Sequence, residues 1–106
     1  MYQLTIFLYK ERYMEDIMMA LTAAGLNNTV VIDGLNMENV LAFNVPVFAG
    51  LRGELSRSPK FCKVIFTLIE DKSVIEEILE SLEEAELNNK KDRIYKIICS
   101  EVEVFE

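Results

Sequence analysis

The chain has 106 residues, 51% of them hydrophobic and 27% charged, proportions that exclude a disordered chain and suit one domain, residues 1 to 106, with one modest core. Its 18 acidic side chains outnumber 11 basic ones, and the formal charge of −7 sets it against nucleic acid and anionic membrane surfaces. So large an apolar share in so short a chain predicts an oligomer that buries what a monomer leaves exposed.

"MYQLTIFLYKER" has no basic region before its apolar run and no small-residue cleavage signal after it, so it reads as a first strand rather than a secretory signal. No run reaches the ~18 apolar residues of a membrane helix, and a soluble cytoplasmic protein without membrane insertion is expected. Tyr2, Leu4, Ile6 and Leu8 share one face of this strand, with Thr5, Phe7 and Tyr9 on the other. "ERYMEDIMMALTAAGL" then sets Tyr13, Ile17, Leu21 and Ala24 on a helical stripe that Met14 and Met18 widen, and Gly25 suits the C-terminal cap.

A β-branched strand, Thr29 to Ile32, follows and is expected to close at an Asp33-Gly34 turn. Residues 35 to 60 are longer than an ordinary connection. Their apolar half, "VLAFNVPVF", has strand-like composition, and Pro46 argues for an edge or a bend. Five apolar side chains there, Leu41, Phe43, Val45, Val47 and Phe48, are expected to pack against the chain's own sheet or a neighbouring subunit, with a partner or ligand surface as the alternative. "GLRGELSRSPKF" reads as turns.

"CKVIFTLI" is the third strand, with Cys62, Val64, Phe66 and Leu68 on one face and Lys63, Ile65, Thr67 and Ile69 on the other. Ser73 and Glu76 have the spacing of a capping box for a helix with a stripe of Ile75, Ile78, Leu79 and Leu82. Glu76, Glu77, Glu80, Glu83 and Glu84 form a solvated face. "NNKKD" is a connection, and "RIYKIICSEVEVF" is a final extended region that bends into an additional edge strand.

The order β-α-β, long insert, β-α-β predicts an α+β fold: a ferredoxin-like β-α-β-β-α-β sandwich with the insert between strands two and three. Both helices then lie on one sheet face. Residues such as Thr5, Phe7 and Tyr9, with Ile65, Thr67 and Ile69 or their opposites, occupy the face without helices, which association between subunits would cover.

Two stretches carry a family resemblance. "LTIFLYKERYMEDIMMALTAAGLNNTVVIDG" and "KVIFTLIEDKSVIEEILESL" resemble the strand-helix-strand and strand-helix units of the nitrogen-regulatory P-II family and its diverged P-II-like relatives. The resemblance implies a cytoplasmic homotrimer in which three sheets surround a central cavity. It also implies adenine nucleotides in clefts between subunits and a long loop that docks on partner proteins. Where typical members have a glycine-rich, lysine-bearing connection after the second helix, this chain has "NNKKDRIYK", with Lys90, Lys91 and Arg93, and Arg93 falls about where the family places its lysine. The basic C-terminal segment is replaced by "SEVEVFE", and residues 35 to 60 contain no tyrosine for nucleotidylylation.

There is no histidine, and the two cysteines, Cys62 and Cys99, lack metal-ligand spacing and read as buried free thiols. Asp33, Glu38, Asp71 and Asp92 read as turn or cap residues. The leading expectation is a non-catalytic oligomeric regulatory or signal-binding module that acts through a protein partner and needs no cofactor. One alternative is a diverged small-anion or nucleotide sensor using Lys10, Gly34 and Arg93. The other is a metal-dependent hydrolase built on carboxylates such as Asp33 and Asp71.

Overall fold

The computed structural model describes residues 1–44 and 61–106, the side chains of residues 38 and 42–44 excepted. Four strands form one antiparallel sheet: β1 (Tyr2–Leu8), β2 (Val30–Leu35), β3 (Phe61–Ile69) and β4 (Tyr95–Glu101). Their order is β2-β3-β1-β4, so the two central strands are the ones with the strongest apolar alternation. The helices are α1 (Met14–Ala23), entered through a short 3-10 turn at Glu11–Tyr13, then α2 (Met37–Asn44), α3 (Ser73–Glu84) and the single turn α4 (Asn89–Asp92).

Register fixes which side chains share a face. Leu4 stands between Thr67 and Cys99, Ile6 between Ile65 and Ile97, and Leu8 between Lys63 and Tyr95. This face carries the core: Leu4, Ile6, Leu8, Ile65 and Ile69 are buried with Ile17, Ala20 and Leu21 of α1 and Ile78 and Leu82 of α3. Both long helices therefore cover the same side of the sheet, as the strand alternation predicts. Within the predicted stripes, Met18 and Leu79 are each 40% exposed and belong to the helix flanks.

Both long helices end in the same backbone device. After α1, Gly25 N–H donates to Thr22 O and Leu26 N–H to Leu21 O, with Gly25 at φ +81°. After α3, Glu86 N–H donates to Glu83 O and Leu87 N–H to Leu82 O, with Glu86 at φ +65°. Each is a Schellman closure that returns a leucine to the core. Only the first has the glycine that the left-handed conformation favours.

Several expectations are corrected. The Asp33-Gly34 pair is not a turn: β2 runs through it, with Asp33 opposite Lys63 and Gly34 opposite Cys62. The Lys63 ammonium donates to the Asp33 carboxylate across the strands, which outweighs the local turn preference of the dipeptide. The strand-like reading of "VLAFNVPVF" fails in its first part, because residues 40–44 are the end of α2. Asn36 precedes that helix as a favourable cap type, and Met, Leu and Ala within it are strong helix formers.

The α3 cap is Asp71 rather than Ser73: its carboxylate accepts from Ser73 N–H at 2.9 Å, in the cap role expected of Asp71 itself. The last strand starts at Tyr95 and ends at Glu101, and residues 102–106 add no edge strand. "NNKKD" is partly helical because Asn88 Oδ1 accepts from Lys91 N–H, while Asn89 Oδ1 accepts from the N–H groups of Ile94 and Tyr95. No helix among the described residues is long and apolar enough to cross a membrane.

Candidate functional site

Of the predicted anion-binding trio, Lys10 and Arg93 flank the last backbone hydrogen bond between β1 and the start of β4. Tyr9 N–H donates to Ile94 O at 2.8 Å, extending the β1–β4 pairing by one residue, and Lys10 and Arg93 are the next residues along the two chains. Arg93 is not the start of β4: it is a left-handed residue, φ +47°, between α4 and that strand. Its guanidinium lies over the Tyr9 ring, 5.3 Å from the centroid, so part of its charge is engaged by the aromatic face.

Gly34 is at the same end of the sheet but on edge strand β2, two strands and so about 10 Å from β1. Its role there is close packing, since a Cβ would meet the Cys62 carbonyl oxygen at 3.2 Å. Between them stands Lys63, joined to Asp33 and 3.9 Å from Glu11. The hydrogen bond to Asp33 raises the Lys63 pKa above its ordinary value, with burial acting against it. This end of the helix-covered face is therefore partly neutralised.

The carboxylates offered for metal chemistry go separate ways. Asp33 is paired with Lys63, and Asp71 caps α3. Among the described residues no group of three or more acidic or thiol side chains is placed to hold a metal ion. Both thiols are free; Cys62 is buried and Cys99 half-buried, and the register puts them on opposite sheet faces. Burial pushes the Cys62 thiol pKa up, against a backbone hydrogen bond from Leu8 that lowers it.

Of the five apolar insert residues, Leu41 is half-buried on α2. Phe43 is in the same helix; its side chain, with Val45, Val47 and Phe48, lies outside the described residues.

The feature that the strand periodicities expose most clearly is the sheet face without helices. Thr5 and Phe7 of β1 lie on it beside Val64, Phe66 and Leu68 of β3, whereas Ile65, Thr67 and Ile69 point to the core. Edge strands add Val30, 57% exposed, Ile32, 48%, and Ile98, 43%, and Leu68 is 46% exposed. Four strands of six to nine residues, at about 3.4 Å per residue and about 4.8 Å apart, give the face a footprint of roughly 450 Å².

Comparison with protein-family models and with curated proteins gives no match.

A second concavity was not foreseen from the sequence. α3, α4 and the start of β4 enclose an open groove of about 720 Å³ lined by Leu79, Glu83, Glu86, Leu87, Asn88, Asn89, Lys90 and Tyr95. Burial raises the Tyr95 phenol pKa, and the nearby Glu83 carboxylate adds to the rise. The Asn88-Asn89 pair was the available signal, because consecutive Asx residues bind backbone N–H groups and build compact turns.

Proposed function

We propose that this chain is the subunit of a homo-oligomer that works without catalysis, as a regulatory or signal-binding module of P-II-like type. The carrying observation is the sheet face opposite the two long helices, where Val30, Ile32, Leu68 and Ile98 are 43–57% exposed on a four-stranded sheet. A strand order of β2-β3-β1-β4 with both long helices on the opposite face supports the ferredoxin-like arrangement. A cytoplasmic homotrimer, in which three such faces turn toward a shared interior, is the assembly this reading expects. The insert with Leu41, Phe43, Val45, Val47 and Phe48 then serves the rim of the assembly or a protein partner.

Replacing Leu68 by Asp tests this reading. Leu68 lies on the open face away from the core, so a folded subunit with unchanged circular dichroism and a monomeric elution volume is expected. An unchanged oligomer would remove the face from the interface.

Lys10 and Arg93, which flank the Tyr9–Ile94 backbone hydrogen bond, favour a second reading, a small-anion or nucleotide sensor. Under it, ATP, ADP or inorganic phosphate raises the melting temperature, and Arg93→Gln abolishes the rise. No rise with any of the three at millimolar concentration counts against the sensor and leaves the oligomer untouched.

A further inference from the structure

The groove between α3, α4 and β4 has a sorted lining. Leu87 is 7% exposed and Tyr95 half-buried, and with the exposed Leu79 they supply an apolar floor. Glu83, Glu86 and Lys90 supply the charged rim. Among the described residues none of these three charges forms an ion pair; the salt bridges are those of Lys63 with Asp33 and Glu11, outside the groove. Two carboxylates against one ammonium leave the rim net negative, on a chain whose formal charge is −7.

The turn beneath is already committed to structure. Asn88 Oδ1 is occupied by Lys91 N–H and Asn89 Oδ1 by the N–H groups of Ile94 and Tyr95. The Schellman closure at Glu86 lets Leu87 fill the floor while Glu86 stays at the rim.

We infer that this groove takes a small organic cation, a primary ammonium carried on a short apolar or aromatic body. Leu79, Leu87 and the Tyr95 ring hold the body, and the carboxylates of Glu83 and Glu86 accept from the ammonium. A volume of about 720 Å³ falls within the range of small-molecule sites, roughly 300–1,000 Å³. An anion is disfavoured, because it would bring its charge to a rim with twice as many carboxylates as ammonium groups. The Tyr95 phenol pKa is raised first by burial, with the Glu83 carboxylate adding to the rise. This inference does not rest on the open sheet face.

The test is a titration of the full chain followed by two-dimensional amide NMR. Phenethylamine is the probe, 3-phenylpropionate its anionic counterpart, and ethylamine the cation without a body. Phenethylamine is expected to move the amide signals of Leu87, Asn88 and Tyr95 in a saturable way in the millimolar range, with smaller effects from the other two. Glu83→Gln and Glu86→Gln should each weaken the binding about two- to fivefold, the scale of a solvent-exposed charge pair. Leu79→Ala should weaken phenethylamine but not ethylamine. Both glutamates are exposed, so the variants are expected to fold. The inference is overturned if phenethylamine leaves these signals unmoved, if ethylamine or phenylpropionate binds equally well, or if the glutamine variants bind like the parent chain.

Discussion

Glycine and glutamate occupy the same left-handed position in two equivalent helix endings, and exchanging their chemistry should move stability in opposite directions. At Gly25, φ +81°, an added Cβ meets nothing within 4 Å, so the effect of Gly25→Ala is the backbone term alone. A left-handed residue with a Cβ costs about 1–2 kcal/mol, and the smaller entropy of the unfolded alanine chain returns about 0.4–1 kcal/mol. Gly25→Ala should therefore destabilise by about 1 kcal/mol. At Glu86, φ +65°, the same sum runs backwards, and Glu86→Gly should stabilise by about 1 kcal/mol.

A carboxylate just past a helix C-terminus is also unfavourable to the helix dipole by about 0.3 kcal/mol or more. Glu86→Gln isolates that contribution and should recover only this smaller amount. Urea denaturation reads all three, and thermal melting should shift about 4–8 °C per kcal/mol in a chain of this size. A neutral Gly25→Ala, or a Glu86→Gly that stabilises no more than Glu86→Gln, would refute the strain argument.

Asp71→Ala should cost about 1 kcal/mol in the same assay, since Ser73 N–H loses its cap, whereas Ser73→Ala should cost less than half of that. Leu82→Ala, at a fully buried α3 position, should cost about 2–5 kcal/mol by urea denaturation. The pKa values of Cys62, Lys63 and Tyr95 are all raised, so the folded chain holds more protons than the unfolded one and stability falls as pH rises. The loss begins near the ordinary thiol value of 9.0 and continues through 10.5 and above, where Lys63 titrates. Denaturation midpoints over that range should drop, and Asp33→Asn should remove the part due to Lys63.

Alternation and helical stripes were legible where one face is buried and the other is not. Leu4, Ile6 and Leu8 in β1, Ile17 and Leu21 in α1, and Ile78 and Leu82 in α3 are core residues for that reason. What escaped depends on partners remote in sequence. Asp33-Gly34 carries a strong local turn signal, and only the pairing with Lys63 and Cys62, about thirty residues on, holds it in a strand. In α2, β-branched and aromatic residues gave a strand-like composition to a segment whose flanking Asn36 and Met37 already permit a helix.

The candidate sites follow the same division. An apolar second face was evident from β1, where Phe7 follows Thr5 on the side opposite the core, but which set of β3 residues joined it required the register. The groove was not evident, because it depends on Glu86 adopting a conformation that its residue type disfavours and on Asn89 folding back onto Ile94 and Tyr95.

The most direct measurement is the mass of the chain in solution by sedimentation equilibrium across a concentration series around tens of micromolar. The proposed P-II-like assembly, with Val30, Ile32, Leu68 and Ile98 of the open sheet face in its interface, predicts a species of three times the 12.2 kDa subunit mass, stable to dilution through that range. A single species at 12.2 kDa throughout the series would contradict the assembly and, with it, the reading of the open sheet face as a subunit interface.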